Sequence, residues 1–407
     1  MTHRVAVLFA IALVSLAVAG SSAPGAFRPT AAAPASQPGA VYFETNSMPK
    51  NFVQVLYRKP NGKLKKGPHV YTGGSGNQQA SPFAKYGFKL LDSANSVVLS
   101  KDRKFLFVVN AGDDSVSSFR VSRRGDLRLA SHVPSGGDLP VSVATAQRNK
   151  RRLVYVVNEW SGNIRGFTVS PNGKLHVLPG STRSLATPGK NGAAAMIGFD
   201  KRAFTLTVTE RGAIFDPVAM TFIGSGPDQI EVFQVLANGR PGPSAVTSST
   251  GEDPFGFAYT KQNVLFMSDS GVNGTVTTYS LNTGTLGVSL LDHKPAGGSA
   301  PCWVVFSNNE KFAWVTNSLT ANVSAFSVAA NGSVSLLGEV PATNNSALDE
   351  GSSRDGRYLY VISTKVVNFV FTNTLVDIYR TNSNGTLTHI GKTGTLPWAG
   401  ASGLAAF

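Results

Sequence analysis

Apolar residues along this chain fall into short alternating or continuous runs rich in Val, Ile, Phe and Tyr, and no segment sustains a helical period. One run returns in recognisable form. It reads Val-Tyr-Phe-Glu-Thr-Asn at 41–46, Leu-Phe-Val-Val-Asn at 106–110, Val-Tyr-Val-Val-Asn at 154–158 and Leu-Thr-Val-Thr-Glu at 206–210. It reads Leu-Phe-Met-Ser-Asp at 265–269, Ala-Trp-Val-Thr-Asn at 313–317 and Leu-Tyr-Val-Ile-Ser at 359–363. After each copy a second strand, such as Val116–Val121 or Asn163–Val169, runs into a glycine turn. The turns are Asn61-Gly62, Arg124-Gly125, Asn172-Gly173, Asn238-Gly239, Thr283-Gly284, Asn331-Gly332 and Asn384-Gly385. Asn and Gly both tolerate positive φ, which suits a tight hairpin.

A third marker is a short strand of small or apolar residues, at Ala94–Leu99, Pro140–Thr145, Ala193–Phe199, Pro254–Tyr259, Pro301–Phe306, Ala347–Ser352 and Ala401–Phe407. The last has no copy downstream, and the Val41 run has no such strand upstream. Three markers in seven copies predict an all-β fold, a seven-bladed β-propeller of four-stranded antiparallel blades. Pairing Ala401–Phe407 into blade one closes the ring and leaves only short, protected edges. A tandem pair of β-sandwiches leaves both orphan strands unexplained.

With strands named A to D from the axis outward, A–B and C–D turns share one face and B–C and D–A connections the other. The long insertions, Gly73–Asp92, Arg211–Asp228 and Thr364–Asn373, all fall on the second face, and long loops tend to carry function. The Arg211–Asp228 loop is apolar, with Ile214, Phe215, Met220, Phe222 and Ile223. It reads as a lid, a partner contact or a loop packed on a neighbouring blade.

Charge and the N-terminus add a compartment. Lys and Arg exceed Asp and Glu by 14, a balance that favours anionic surfaces or substrates. The basic residues are scattered and lack interleaved aromatics, so no nucleic-acid partner is expected. Arg4, the apolar run Val5–Ala19 and the small-residue pattern Ala17-Val18-Ala19 predict a signal peptide over 1–20. A disordered leader rich in Ala, Pro and Ser follows over 21–38, and the propeller over 39–407. No later segment is apolar enough to span a membrane. A secreted or cell-surface monomer is expected. Cys302 is the sole cysteine, so no intrachain disulfide forms and stability rests on a large core. Sequons at Asn273, Asn322, Asn331, Asn344 and Asn384 matter only in a eukaryotic secretory pathway.

On the loop-bearing face, ends of B strands and starts of A strands point to the channel mouth and offer Glu159, Glu210, Asp253, Asp269 and Asp349, with Trp303 on an inner strand as a further binding candidate. Glu210, Arg211 and Asp253 form the best acidic–basic group. A carboxylate there acts as general base on water while Arg steadies an oxyanion or a substrate carboxylate. The alternative is that Asp253 and Asp349 hold backbone amides and fix the blade, as Asn46, Asn110, Asn158 and Asn317 are expected to do. His69, His132, His176, His293 and His389 fall mainly on outer strands or loops, none at metal-ligand spacing. No nucleophile elbow, P-loop or dinucleotide fingerprint is present, so no metal or cofactor is expected. Cys302 reads as a buried, inert thiol.

The Val-Tyr-Val-Val-Asn run, Asn-Gly-Lys-Leu at 172–175 and Ser-Arg-Asp-Gly-Arg-Tyr-Leu-Tyr-Val at 353–361 resemble the lactonase family of seven-bladed propellers, over roughly residues 40–407. That family includes 6-phosphogluconolactonases and carboxy-cis,cis-muconate cyclases. The secreted branch called 3-carboxymuconate cyclase looks most similar, through Asn110-Ala111-Gly112, Ser135-Gly136-Gly137, Asp253-Pro254-Phe255-Gly256-Phe257 and Pro301-Cys302-Trp303. The resemblance implies inner-strand His and Arg near 192–196 and 253–257. This chain has Ala193-Ala194-Ala195 and Pro254-Phe255-Gly256-Phe257 there, so only an acidic residue such as Glu210 carries over.

Two function classes stay open. One is a lactonase or muconate cyclase acting on a small-molecule lactone or carboxylate. The other is a non-catalytic extracellular propeller that binds a ligand, glycan or protein through its loop-rich face. A channel plugged by Pro254-Phe255-Gly256-Phe257 would argue against the enzyme.

Overall fold

The computed structural model describes residues 39–77, 91–187, 193–212, 226–271, 273–368 and 370–407, and the backbone of 214–216 and 221–223. The expected signal peptide and leader lie outside the described residues. Among those described there is no helix long and apolar enough to cross a membrane.

Seven antiparallel sheets form the blades, six in simple A-B-C-D order, with a small two-stranded hairpin beside them. Blade one takes strand A from Ser402–Ala406 and strands B to D from Gly39–Glu44, Phe52–Arg58 and Leu64–Tyr71. Register places Val41 against Ala406 and Tyr42 against Ala405, and Phe407 N–H donates to Ala40 O at 3.0 Å. Arg58 reinforces the seam by donating from Nε to Phe407 O at 3.2 Å and pairing with Asp355 of blade seven at 3.3 Å. The two orphan strands of the sequence are thus one closure.

The inner and middle strands read as apolar runs because both their faces are covered. Phe105–Asn110 and Val264–Asp269 are buried at every position. Outer strands such as Leu64–Tyr71 and Leu127–Pro134 are mostly half-exposed or exposed and carry charge and proline, which discourages edge pairing. His69, His132, His176, His293 and His389 all sit on these outer strands.

The aromatic of the recurring run and the glycine of the turn belong to one device. Tyr42 donates to Gly125 O at 2.7 Å, Tyr155 to Gly239 O at 2.7 Å, Trp314 Nε1 to Gly385 O at 2.9 Å and Tyr360 to Gly62 O at 3.0 Å. Each bond joins a strand B to the C–D turn of the next blade. The last of these crosses the closure. A buried bond of this kind contributes about 1 kcal/mol net. Positive φ at Gly62, Gly125, Gly239 and Gly385 aims the carbonyl, and a Cβ on Gly239 would meet Leu153 at 2.7 Å.

Two expected elements differ. Strand A of blade two covers Val97–Leu99 rather than Ala94–Leu99. Ala94 N–H donates instead to Ala195 O at 3.0 Å and Asn95 O accepts from Val143 N–H at 2.9 Å, so this backbone bonds across to blades four and three. The expected loop Thr364–Asn373 is a hairpin extension of strands Tyr358–Val367 and Val370–Thr381, with Lys365 against Asn373 and Val366 against Phe371. Alternating β-branched residues on both sides let the pairing continue past the blade. Within the Arg211–Asp228 insertion, Ile214–Asp216 pairs with Thr221–Ile223. The side chains proposed there as a lid, and residues 78–90 of the first insertion, lie outside the described residues.

Candidate active site

Strand B of blade four, Thr205–Arg211, ends at the loop-bearing mouth. Successive strand residues face opposite sides, so Glu210 and Arg211 point apart. Glu210 accepts from Thr187 N–H at 3.0 Å and from Gln229 Nε2 at 3.1 Å. Burial, with Glu231 nearby, lifts its pKa to about 7. Its slot in the repeat is that of Asn110, Asn158, Asp269 and Asn317, each of which ties the end of strand B to strand C through Ser, Asn or Thr partners. Glu210, grouped with Arg211 and Asp253 on the sequence alone, bonds to Thr187 and Gln229, as a blade tie does.

Arg211 is 1 % exposed and gathers a different set of acids. Its Nη1 lies 3.1 Å from Asp92 Oδ2, its Nη2 donates to Asp92 O at 3.0 Å, and its Nε donates to Ala193 O at 3.3 Å. Asp253 Oδ1 stands 3.6 Å from Nε. The guanidinium lies 4.9 Å over the Phe255 ring, a cation–π contact that partly replaces lost hydration. Glu159, in the same slot of blade three, follows Asn158 and completes the group. Burial would lower the Arg211 pKa, but Asp92, Asp253 and Glu159 outweigh it and raise it.

The acids respond in kind. Burial pushes Asp253 up to about 7 and Glu159 up to about 8, with Arg211 opposing both shifts. Arg211 and Asp92 form an ion pair, while burial favours the protonated forms of Glu159 and Asp253. One carboxylate oxygen, Asp253 Oδ1, is buried without a hydrogen-bond donor. An unpaired buried acceptor costs about 1–3 kcal/mol, which water or a substrate donor would relieve. The Asp92 side chain is 22 % exposed, so solvent reaches the group from that side.

Asp253 also has a left-handed φ of 56°, shared by Leu139 at 57° and Ala300 at 52°. Each precedes the proline that opens a strand A, and each carbonyl accepts from the residue after the neighbouring strand B. The conformation belongs to the repeat and not to the chemistry. The expectation that Asp253 only fixes the blade describes its backbone, while its carboxyl belongs to the Arg211 group.

The other candidates separate. Trp303 packs edge-on to Phe255 at 5.6 Å, and its buried Nε1 lacks a partner. Asp269 bonds Thr275 and Thr277, and burial lifts its pKa to about 8. Asp349 lies on strand A of blade seven, where burial raises its pKa, Gly403 N–H opposes the shift and Glu44 adds to it; it is outside the Arg211 group. Cys302 donates from Sγ to Ala300 O at 3.2 Å, and burial pushes it up to about 12, an inert thiol. Phe255, Trp303, Phe257, Met196, Leu348 and Leu404 belong to one buried apolar layer. The Pro254–Tyr259 strand thus helps fill the channel below the mouth. No set of three or more His, Cys, Asp and Glu among the described residues could hold a metal ion.

Sequence reasoning missed Asp92, which lay in an insertion of no recognisable pattern, and it ranked Glu159 below Glu210. Alignment of the copies held the signal: the residue after the Asn slot is Glu159 in blade three and Arg211 in blade four.

A family model described as lactonase, 7-bladed beta-propeller, matches residues 39–172, 145–302 and 262–397. No curated protein matches significantly. Among solved structures, the periplasmic gluconolactonase PpgL of Pseudomonas aeruginosa is similar at 16% identity and TM-score 0.68, covering 91% of this chain and 99% of that one. A protein from Lactobacillus plantarum is similar at 15% identity and TM-score 0.67, covering 91% and 100%. At such identities these structures speak for the fold.

Proposed function

The chain belongs to the lactonase family of seven-bladed β-propellers, and from that premise we propose that it opens a lactone ring with water at the mouth that holds Arg211. The observation that carries this reading is the buried, donor-less Oδ1 of Asp253 beside a guanidinium with N–H groups to spare. Asp253 takes a proton from water as its oxygen bonds to the lactone carbonyl carbon. Arg211 steadies the oxyanion. The ring C–O bond then breaks, and Glu159, protonated near neutral pH, gives its proton to the departing ring oxygen. The proton on Asp253 passes back through solvent, and the product is the hydroxy acid. Ring closure of a muconate, the other chemistry of the family resemblance, would use the same groups. The N-terminal apolar run supports a reaction outside the cytoplasm.

A second reading, binding of a small carboxylate, glycan or protein without turnover, is favoured by the filled channel and the depth of Arg211. A proton-release screen on five- and six-membered sugar lactones separates the two. Turnover by the wild type, reduced roughly 100-fold or more in Asp253→Asn, is expected. No turnover on any lactone, or an unaffected variant, overturns the enzymatic reading.

A further inference from the structure

The opposite mouth, framed by A–B turns, opens on a cavity of about 960 Å³ lined by blades two to six. Its lining is two-toned. Met196, Phe257 and Val304, core residues with a small exposed edge, form its apolar floor from the inner strands. Lys101, Lys201 and Lys261 enter from the A–B turns of blades two, four and five.

The carboxylates of this mouth are already committed. Asp102 pairs with Arg152 at 2.6 Å. Asp200 accepts from the backbone N–H groups of Arg202, Phe204 and Thr205 at 3.0, 2.6 and 2.7 Å. Glu310 accepts from Lys261 N–H at 2.9 Å and stands 3.9 Å from Lys201 Nζ. Lys101 and Lys261 form no ion pair with a carboxylate among the described residues. Burial lowers the Lys201 pKa and Glu310 opposes the shift, while Lys101 and Lys261 each lower it further, as like charges around one cavity do. Convergent like charges above an apolar surface favour a ligand that brings both a negative charge and a hydrophobic body.

We infer that this cavity is a second binding site, separate from the Arg211 mouth, for a small amphipathic anion: an aryl or acyl carboxylate, sulfonate or phosphate. Its apolar body lies on Met196, Phe257 and Val304, and its acid group takes Lys101 and Lys261. The site is independent of any lactone chemistry.

The test uses the full chain and two fluorescent probes, anionic 8-anilinonaphthalene-1-sulfonate and uncharged N-phenyl-1-naphthylamine. The anionic probe should bind saturably at one site and more tightly than the neutral one. Lys101→Glu combined with Lys261→Glu should weaken it roughly tenfold or more. Lys65→Glu with Lys66→Glu, the same charge change on the outer strand of blade one, should leave it within about twofold. Asp253→Asn should also leave it unchanged. Thermal melts check that each variant is folded. Equal binding of both probes, or equal weakening by the two lysine pairs, overturns the inference.

Discussion

The two mouths of this channel are made by the same seven repeats and differ in almost every physical respect. The loop-bearing mouth buries its charge. Arg211 is closed in by Asp92, Asp253 and Phe255, feels the charge of Glu159, and has an apolar layer below it. The other mouth has short turns, an open cavity and two lysines, Lys101 and Lys261, in no ion pair with a carboxylate among the described residues. Loop length shows where the chain has spare material. It does not show where solvent enters, because short turns cannot cover the space between blades. Burial in turn decides what charge can do, since desolvation moves a carboxyl pKa toward neutrality where it can exchange protons.

The largest expected contrast is in stability. Arg211→Met strips the counter-charge from a buried cluster and should lower unfolding free energy by about 3–5 kcal/mol, read by chemical denaturation. Lys101→Met and Lys261→Met, on exposed turns, should each stay within about 0.5 kcal/mol. Comparable losses at both mouths would erase the distinction.

Stability should also depend on pH in an unusual direction. Glu44, Glu159, Asp253 and Asp269 fold with pKa values raised by burial to about 8, 8, 7 and 8 from ordinary values of 4.5, 4.5, 3.8 and 3.8. The native state keeps protons that the unfolded chain releases above its own pKa values. Their contribution is complete below those ordinary values and is lost as pH rises through 7 to 8. Glu44→Gln should therefore flatten the fall in melting temperature between about pH 5 and about pH 9. A wild-type slope retained in the variant would contradict the assignment of Glu44 as a proton-holding group.

The smallest effect separates neighbours on one strand. Glu210→Gln keeps the tie to Thr187 and, on the alternation of strand B, faces away from the Arg211 group. Lactone turnover should stay within about threefold of wild type, measured beside Asp253→Asn. A collapse of activity in Glu210→Gln would return that residue to the site.

The ring was legible in the sequence because each blade repeats its local chemistry: an apolar run, a glycine turn and a small-residue strand. Closure followed from two strands that lacked partners. The candidate site was legible only by face. Which of Glu210 and Arg211 looks into the channel depends on strand alternation, which a one-residue shift reverses. Asp92 arrives through backbone that abandons its own blade to bond Ala195 and Val143, a tertiary event with no local signature. The cavity beyond the apolar layer was invisible for a related reason. It is a space left between turns, and Lys101, Lys201 and Lys261 are far apart in the chain.

The pH dependence of kcat/KM for lactone opening tests the central claim most directly. Asp253 must be ionised and Glu159 protonated, so the account predicts a bell with an acid limb near 7 and an alkaline limb near 8. A flat profile, or a single limb at ordinary carboxylate pH, would contradict it.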